Sequence, residues 1–141
     1  MNYKGRKNEK HFCLACSTEI PFRGYGRSVH KYCSNKCQME YHSKQVFEKK
    51  KEQFQEGTLT ERKYVYKCLV ERDGDECSVC GISSWQDKPI RLWVDHIDGN
   101  ATNNDPANFR LICPNCDSQS ETFGAKNKGN GRKSHGLPQY G

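Results

Sequence analysis

Residues 77–117 decide the fold, and they read CSVCGISSWQDKPIRLWVDHIDGNATNNDPANFRLICPNCD. The segment begins with Cys77-x2-Cys80 and ends near Cys113-x2-Cys116, with 32 residues between the two pairs. A two-residue gap lets both thiolates of a turn bind one zinc ion at about 2.3 Å, and two such turns complete a tetrahedron. The spacing therefore predicts a structural zinc ion that joins the two ends of this segment.

The sequence between these cysteine pairs predicts two strands joined by a long loop. Residues 89–97, PIRLWVDHI, show an alternating pattern of apolar and polar side chains and are rich in β-forming residues. Residues 98–108 are rich in Gly, Asn, Asp and Pro, which are typical of turns. A second short strand is predicted at 109–112, and a short helix is predicted from about Asn115 to Phe123.

A second cysteine quartet lies near the N-terminus, where Cys13-x2-Cys16 and Cys33-x3-Cys37 are separated by sixteen residues. It also predicts a structural zinc site. A disulfide framework is the alternative for both quartets, but it is typical of secreted proteins. Residues 1–10 are basic and polar without an apolar segment, so we expect no signal peptide and a protein of the reducing cytoplasm.

The composition excludes a large hydrophobic core. Only 23 of the 141 residues are Leu, Ile, Val or Phe, the net charge is +6, and the mean hydropathy is -1.02. A chain so poor in apolar residues is normally disordered unless metals or cross-links stabilise it. No apolar run approaches the roughly 18 residues of a membrane span, so we expect no membrane partner.

Two helices are predicted between the quartets. Residues 43–56 contain no Gly or Pro and space their apolar residues for one face, which indicates a helical linker. Thr60 is the predicted N-cap of a second helix from Glu61 to about Arg72. Cys68 lies in the apolar register of this helix and is expected to be buried.

Four polar residues near the second quartet suit phosphodiester hydrolysis. Asp95 and His96 end the first predicted strand, Asn108 precedes the second, and Asp117 directly follows Cys116. Two carboxylates suit a hard cation such as Mg2+, and a neutral imidazole can take a proton from an attacking water. Adjacent strand residues point to opposite faces, so either the strand is distorted or Asp95 and His96 act from different sides.

At these residues the sequence resembles the HNH endonucleases, the ββα-metal nucleases, over about residues 60–127. The two CxxC pairs, the Asp-His pair, Asn108 and the CPNC run match in order. The resemblance implies that His96 is the general base, that Asp95 and Asp117 hold Mg2+ or Mn2+, and that Asn108 holds the loop that orients His96. Asp117 departs from the family, because many members have His there.

The N-terminal quartet resembles a treble-clef or ribbon-type zinc finger. Residues 1–50 carry 11 Lys and Arg against 4 Asp and Glu, which suits contact with a polyanion, although an ordinary solvated surface is the alternative. Within and beyond this segment, the candidate DNA contacts are Arg23, Arg27, Lys31 and Arg110. A protein-binding finger is the alternative reading. Trp85 and Trp93 are expected to be core residues rather than base-stacking platforms.

The sequence therefore predicts a small zinc-stabilised α+β protein. Its predicted parts are a zinc finger over 1–42, a helical linker over 43–59, an HNH nuclease domain over 60–127 and a flexible basic tail over 128–141. We expect it to nick or cut double-stranded DNA, with two structural Zn2+ ions, a catalytic Mg2+ or Mn2+ and no small-molecule substrate. A non-catalytic zinc-dependent DNA-binding protein and an RNase are the alternatives. The resemblance also suggests a phage-encoded enzyme of the host cytoplasm.

Overall fold

The computed structural model describes residues 10–21 and 30–138 of the chain. The chain divides into two compact units, Met1–Glu48 and Lys49–Gly141. Helix α1 (Asn35–Gln55) crosses this division, and the predicted boundaries after residues 42, 59 and 127 stay predictions. No helix within the described ranges is long and apolar enough to cross a membrane.

The first unit contains two very short strands and the start of α1. Strand β1 (His11–Phe12) pairs antiparallel with β2 (Glu19–Ile20). Helix α1 begins eight residues before the predicted start at residue 43, so that bound was wrong. The reason is local, because the Ser34 hydroxyl accepts a hydrogen bond from the Cys37 amide at 3.2 Å and supports the first turn.

In the second unit, α2 (Arg62–Asp73) lies one residue later at each end than predicted. Thr60 is not its N-cap, since Glu61 occupies that position and makes no side-chain capping bond. The helix supplies one wall of the core and buries Cys68, as predicted.

The second unit also contains two hairpins. Strand β3 (Ser84–Trp85) pairs with β4 (Lys88–Pro89), and β5 (Trp93–His96) pairs antiparallel with β6 (Phe109–Ile112). The predicted strand 89–97 is therefore shorter than expected, because Pro89 pairs with β3 and only 93–96 pair with β6. Helix α3 (Pro114–Ser118) follows β6 and ends before the predicted bound at Phe123. The order of hairpin and helix confirms the prediction of a small α+β protein.

The core lies between α2 and the β5–β6 hairpin. Its members are buried apolar residues from α2, from both strands and from the segments that precede them, namely Phe54, Leu59, Val65, Leu69, Leu92, Val94, Phe109, Leu111 and Ile112. The tryptophans are not among them. Trp85 is 64% exposed and Trp93 is 42% exposed, so the prediction that they are core residues was wrong.

The segment after α3 folds back onto the long loop between β5 and β6. It contains two 3-10 turns, Gly124–Asn127 and Arg132–His135. The Asn127 amide donates to the Gly99 carbonyl at 2.8 Å, and the Ala101 amide donates to the Asn130 carbonyl at 3.1 Å. Gly99 has φ +72°, and a Cβ there would lie 2.5 Å from Asn127 Oδ1. Part of the segment predicted as a flexible tail is therefore held against this loop.

Candidate active site

Both cysteine quartets come together as the spacing predicted. In each quartet the four Sγ atoms lie within 4.8 Å of one another, and all nine cysteines of the described ranges are free thiols. Four thiols clustered in this way fit a tetrahedral zinc ion rather than a disulfide framework. The prediction of two cysteine sites suited to zinc is therefore confirmed.

Backbone amides support the second quartet. The Cys113 amide donates to Cys77 Sγ at 3.3 Å, and the Cys116 amide donates to Cys113 Sγ at 3.4 Å. Burial opposes ionisation of Cys77, but the backbone hydrogen bonds outweigh it and lower its pKa to about 6. Hydrogen bonding with Cys80 instead raises the pKa of Cys116 to about 12. A divalent cation would relieve this competition between thiolates, because it stabilises all four in their charged form.

Asp95 and Arg110 form an ion pair across the β5–β6 hairpin, and Asp117 of α3 lies within range of both charges. Asp95 and Arg110 are directly opposed in register, and Arg110 Nε donates to Asp95 Oδ2 at 2.7 Å. Burial and then the charge of Asp95 raise the pKa of Asp117, while Arg110 and Arg62 oppose that shift. The two carboxylates therefore lie near enough to repel each other, as expected of oxygen ligands that share a hard cation.

His96 faces the other side of the hairpin. Strand β5 keeps regular pairing through His96, which is opposite Phe109, so Asp95 and His96 point to different faces. Val94 and His96 line a cavity of about 330 Å³ together with residues of the loop and the C-terminal segment. Of the two predicted arrangements, the structure therefore has the one in which the strand is regular and the two residues face different sides.

The surroundings of His96 favour a neutral imidazole. Its ring lies 4.6 Å from that of Phe109, and its Nε2 is buried without a hydrogen-bond partner among the described residues. Burial lowers the pKa of His96, and the side chain of Asn104 and the carboxylates of Asp98 and Asp95 only partly oppose that effect. At pH 7 the ring is therefore predominantly uncharged and able to accept a proton.

Asn108 ties together the two ends of the loop that follows His96. Its Nδ2 donates to Asp98 Oδ1 at 2.9 Å and to the Asn103 carbonyl at 3.0 Å, and its Oδ1 accepts from the Asp98 amide at 3.0 Å. Asp98 also accepts from the Asn103 side chain at 2.7 Å. These bonds fix the backbone immediately after His96.

The structure describes two of the four candidate DNA contacts. Arg23 and Arg27 lie outside the described residues. Lys31 is exposed, whereas Arg110 is turned toward Asp95 and is only 23% exposed.

Sequence reasoning missed Arg62 and Arg132, which both line the cavity beside His96. Arg62 Nη2 donates to the Val94 carbonyl at 2.6 Å, a contact between residues 32 positions apart. No local pattern signals such a contact, because it depends on how α2 packs against β5.

The comparisons with known proteins agree with the resemblance seen in the sequence. The chain is similar to the H-N-H endonuclease F-TflIV of Escherichia phage T5, with 48% identity over 54 residues. The match covers 38% of this chain and 24% of the relative, so the chain spans about a quarter of the length of the curated relative it matches. No family model and no solved structure matches the chain. The predicted resemblance to the HNH endonucleases is thus confirmed for part of the chain.

Proposed function

We propose that this protein is a metal-dependent HNH endonuclease that hydrolyses phosphodiester bonds in double-stranded DNA. The observation that carries the proposal is the arrangement around the end of β5, where Asp95 lies on one face near Asp117 of α3 and a neutral His96 lies on the other face, next to a cysteine quartet. The similarity to a phage H-N-H endonuclease supports the same class of reaction.

Asp95 and Asp117 are the residues that would hold a catalytic Mg2+ or Mn2+. Their oxygens are hard ligands, and burial and then the charge of Asp95 raise the pKa of Asp117, which is consistent with two carboxylates that lie near each other. Such a cation supplies stabilisation of the charge on the phosphate and on the leaving oxygen. Arg110 holds one oxygen of Asp95, which fixes the direction of that carboxylate.

His96 is the proposed general base. It takes a proton from the water that attacks phosphorus and a P–O bond forms. The bond to the 3′ oxygen breaks with its electron pair on that oxygen, which takes a proton from solvent and leaves 5′-phosphate and 3′-hydroxyl ends. Packing against Phe109 restricts the ring, and Asn108 restricts the loop behind it, so Asn108 is a positioning residue. Because His96 and the carboxylates face different sides of β5, the cleaved phosphate is expected at the end of this strand.

A plasmid-nicking assay tests the proposal. We expect the wild type to nick supercoiled DNA with Mg2+ or Mn2+, and His96→Ala to be at least about 10²-fold slower, because general bases typically contribute 10²–10⁴. His42→Ala is the matched control, since His42 is an exposed residue of α1 in the other unit. Full activity of His96→Ala would remove the general base from the mechanism. A folded wild type that binds DNA without cutting it would favour the binding-protein alternative, and cleavage of RNA alone would favour the RNase.

The metal ligands are tested separately. Asp117→Ala is expected to raise the Mg2+ concentration needed for half-maximal cleavage by at least about tenfold, as the loss of groups around a metal commonly does. Glu121→Ala is the matched carboxylate control, because Glu121 lies beyond the end of α3. An unchanged Mg2+ requirement in Asp117→Ala would exclude Asp117 as a ligand.

A further inference from the structure

A second concave surface lies on the same unit, between the first turns of α2 and strand β5. This groove has a volume of about 630 Å³. Three of the residues that line it are cationic, namely Arg62, Lys63 and Arg91, and two are aromatic, namely Tyr66 and Trp93. None of the described residues that line it is acidic. Cations combined with exposed aromatic rings suit a ligand that has both phosphates and planar bases.

We propose that this groove binds one DNA strand beside the cleaved bond, with its cations on phosphates and Trp93 stacked on a base. The inference rests on the proposed nuclease function for the identity of the ligand. It extends that function, because the N-terminal segment was the expected source of most DNA contacts and this groove belongs to the unit that carries His96.

The groove adjoins the candidate active site. Arg62 and Val94 line both the groove and the cavity that contains His96. Trp93 lies two residues before Asp95 in a regular strand, so the two side chains share one face of β5. A DNA strand bound in the groove therefore leads toward both His96 and Asp95.

The side chains that line the groove differ in their hydrogen bonds and in their exposure. Arg62 is anchored by its bond to the Val94 carbonyl, whereas Lys63 and Arg91 are exposed. The Tyr66 hydroxyl donates to Asp75 Oδ1 at 2.6 Å, which occupies the polar end of that ring. Trp93 is 42% exposed, so its indole is the available stacking surface. An exposed indole beside cations contributes to DNA binding through stacking, which depends little on sequence.

Tryptophan fluorescence tests the position of the ligand. The chain has only two tryptophans, and Trp85 does not line the groove. Trp85→Phe leaves Trp93 as the only tryptophan, and Trp93→Phe leaves Trp85 as the only tryptophan. Each protein is titrated with a duplex oligonucleotide without added Mg2+ or Mn2+, so that binding occurs without cleavage. We expect DNA to quench Trp93 and to leave Trp85 unchanged. Quenching of Trp85 alone, or of neither, overturns the proposal.

Salt dependence tests the cations. We expect Lys63→Ala combined with Arg91→Ala to weaken binding by at least about tenfold near 0.1 M salt, and to reduce the slope of log K against log salt by about 1.8, because each lost phosphate contact removes about 0.9. Lys88→Ala is the matched control, since Lys88 is exposed and lies outside the groove. An unchanged slope in the double variant, or an equal loss in Lys88→Ala, overturns the proposal.

The stacking residue gives a further measurement. Trp93→Ala is expected to weaken DNA binding by about five- to 150-fold, which corresponds to the loss of one stacked base. Failure of the groove and failure of the nuclease are distinguishable. Quenching of Trp93 by DNA in a protein that never cleaves supports the groove and rejects the nuclease. Cleavage whose KM is unchanged in the double variant supports the nuclease and rejects the groove.

Discussion

The two cysteine quartets look alike in the sequence but lie in different surroundings. In the second unit, Cys77 and Cys113 are each 1% exposed, and the apolar core of α2 and the β5–β6 hairpin lies in the same unit. In the first unit, Cys13 is the single buried apolar residue within 10–21 and 30–48, and Cys16 and Cys33 are exposed. The same kind of cysteine quartet, suited to a metal ion, therefore completes a core in one unit and takes the place of a core in the other.

The largest expected effect is the loss of a cysteine ligand from the second quartet. Structural zinc contributes about 10–16 kcal/mol in zinc-finger peptides, which matches or exceeds the roughly 5–15 kcal/mol that stabilises a typical domain. We therefore expect Cys113→Ser to unfold the second unit despite its core, and to reduce the zinc content from two ions per chain to one. Elemental analysis and thermal unfolding measure these two outcomes.

Cys68→Ala is the control for this experiment. Cys68 is buried like Cys113, but it lies outside both clusters. It should therefore keep both zinc ions and a folded second unit. A second unit that remains folded in Cys113→Ser would mean that its apolar core is sufficient without metal, which would reverse the comparison.

The contrast also shows which features were predictable from sequence. The cysteine quartets, the strand at Phe109–Ile112 and α2 depend on local spacing and periodicity, so they were predicted within one residue. The start of α1 was missed, although the three-residue gap between Cys33 and Cys37 differs from the other pairs. That gap is the i, i+4 spacing of one helix face, and it could have indicated an earlier start.

For the candidate site, the sequence supplied the hypothesis about which residues take part and left part of their geometry open. The sequence identified four candidate residues, namely Asp95, His96, Asn108 and Asp117. It left open whether Asp95 and His96, which are adjacent in one strand, would point to the same face or to opposite faces. The structure determines that point through strand pairing. The exposure of Trp93 depends on whether other apolar side chains of the unit pack over its ring. These neighbours are distant in sequence, so the local sequence does not specify the exposure.

The second prediction compares one apolar residue from each unit. Leu111 is 1% exposed in the core, whereas Leu14 is 53% exposed between two cysteines of the first quartet. Leu111→Ala should cost about 2–5 kcal/mol of unfolding free energy, as buried leucines usually do. Leu14→Ala should change stability by less than about 0.5 kcal/mol, as is usual for surface substitutions. Chemical denaturation followed separately for each unit measures both, and equal losses would contradict the difference between the units.

The third prediction concerns DNA affinity. Residues 1–50 contain 11 of the 23 basic residues, so we expect Cys33→Ser to weaken DNA binding by about tenfold and to flatten its salt dependence. The cleavage rate at saturating DNA should stay close to that of the wild type, because His96 and Asp95 lie in the other unit. Single-turnover cleavage and anisotropy titrations separate the two effects. Unchanged affinity and salt slope would indicate that the zinc finger binds a protein instead.

The smallest expected effect concerns one surface ion pair in each unit. Lys50 Nζ lies 2.5 Å from Glu61 Oε1 and is 20% exposed, whereas Lys10 and Glu19 lie 3.4 Å apart and are 70% and 53% exposed. Hydrogen bonding to Lys50 lowers the pKa of Glu61 below its usual value of 4.5. The folded-state pKa is the lower one, so the pair stabilises the second unit above pH 4.5, and this contribution is lost as the pH falls through the folded-state pKa.

Because Glu61 is half exposed, the contribution is screened by solvent and should be less than about 1 kcal/mol. We expect Glu61→Gln to lower the stability of the second unit slightly at pH 7 and to have a smaller effect near pH 3, because the wild-type carboxyl becomes protonated as the pH falls through its folded-state pKa. Glu19→Gln is the matched change in the first unit. It should have no measurable effect at either pH, because Lys10 and Glu19 are both well exposed. Denaturation curves at the two pH values measure the difference. An equal loss in both variants at pH 7 would show that the two surfaces behave alike, and that the units differ only in their cores.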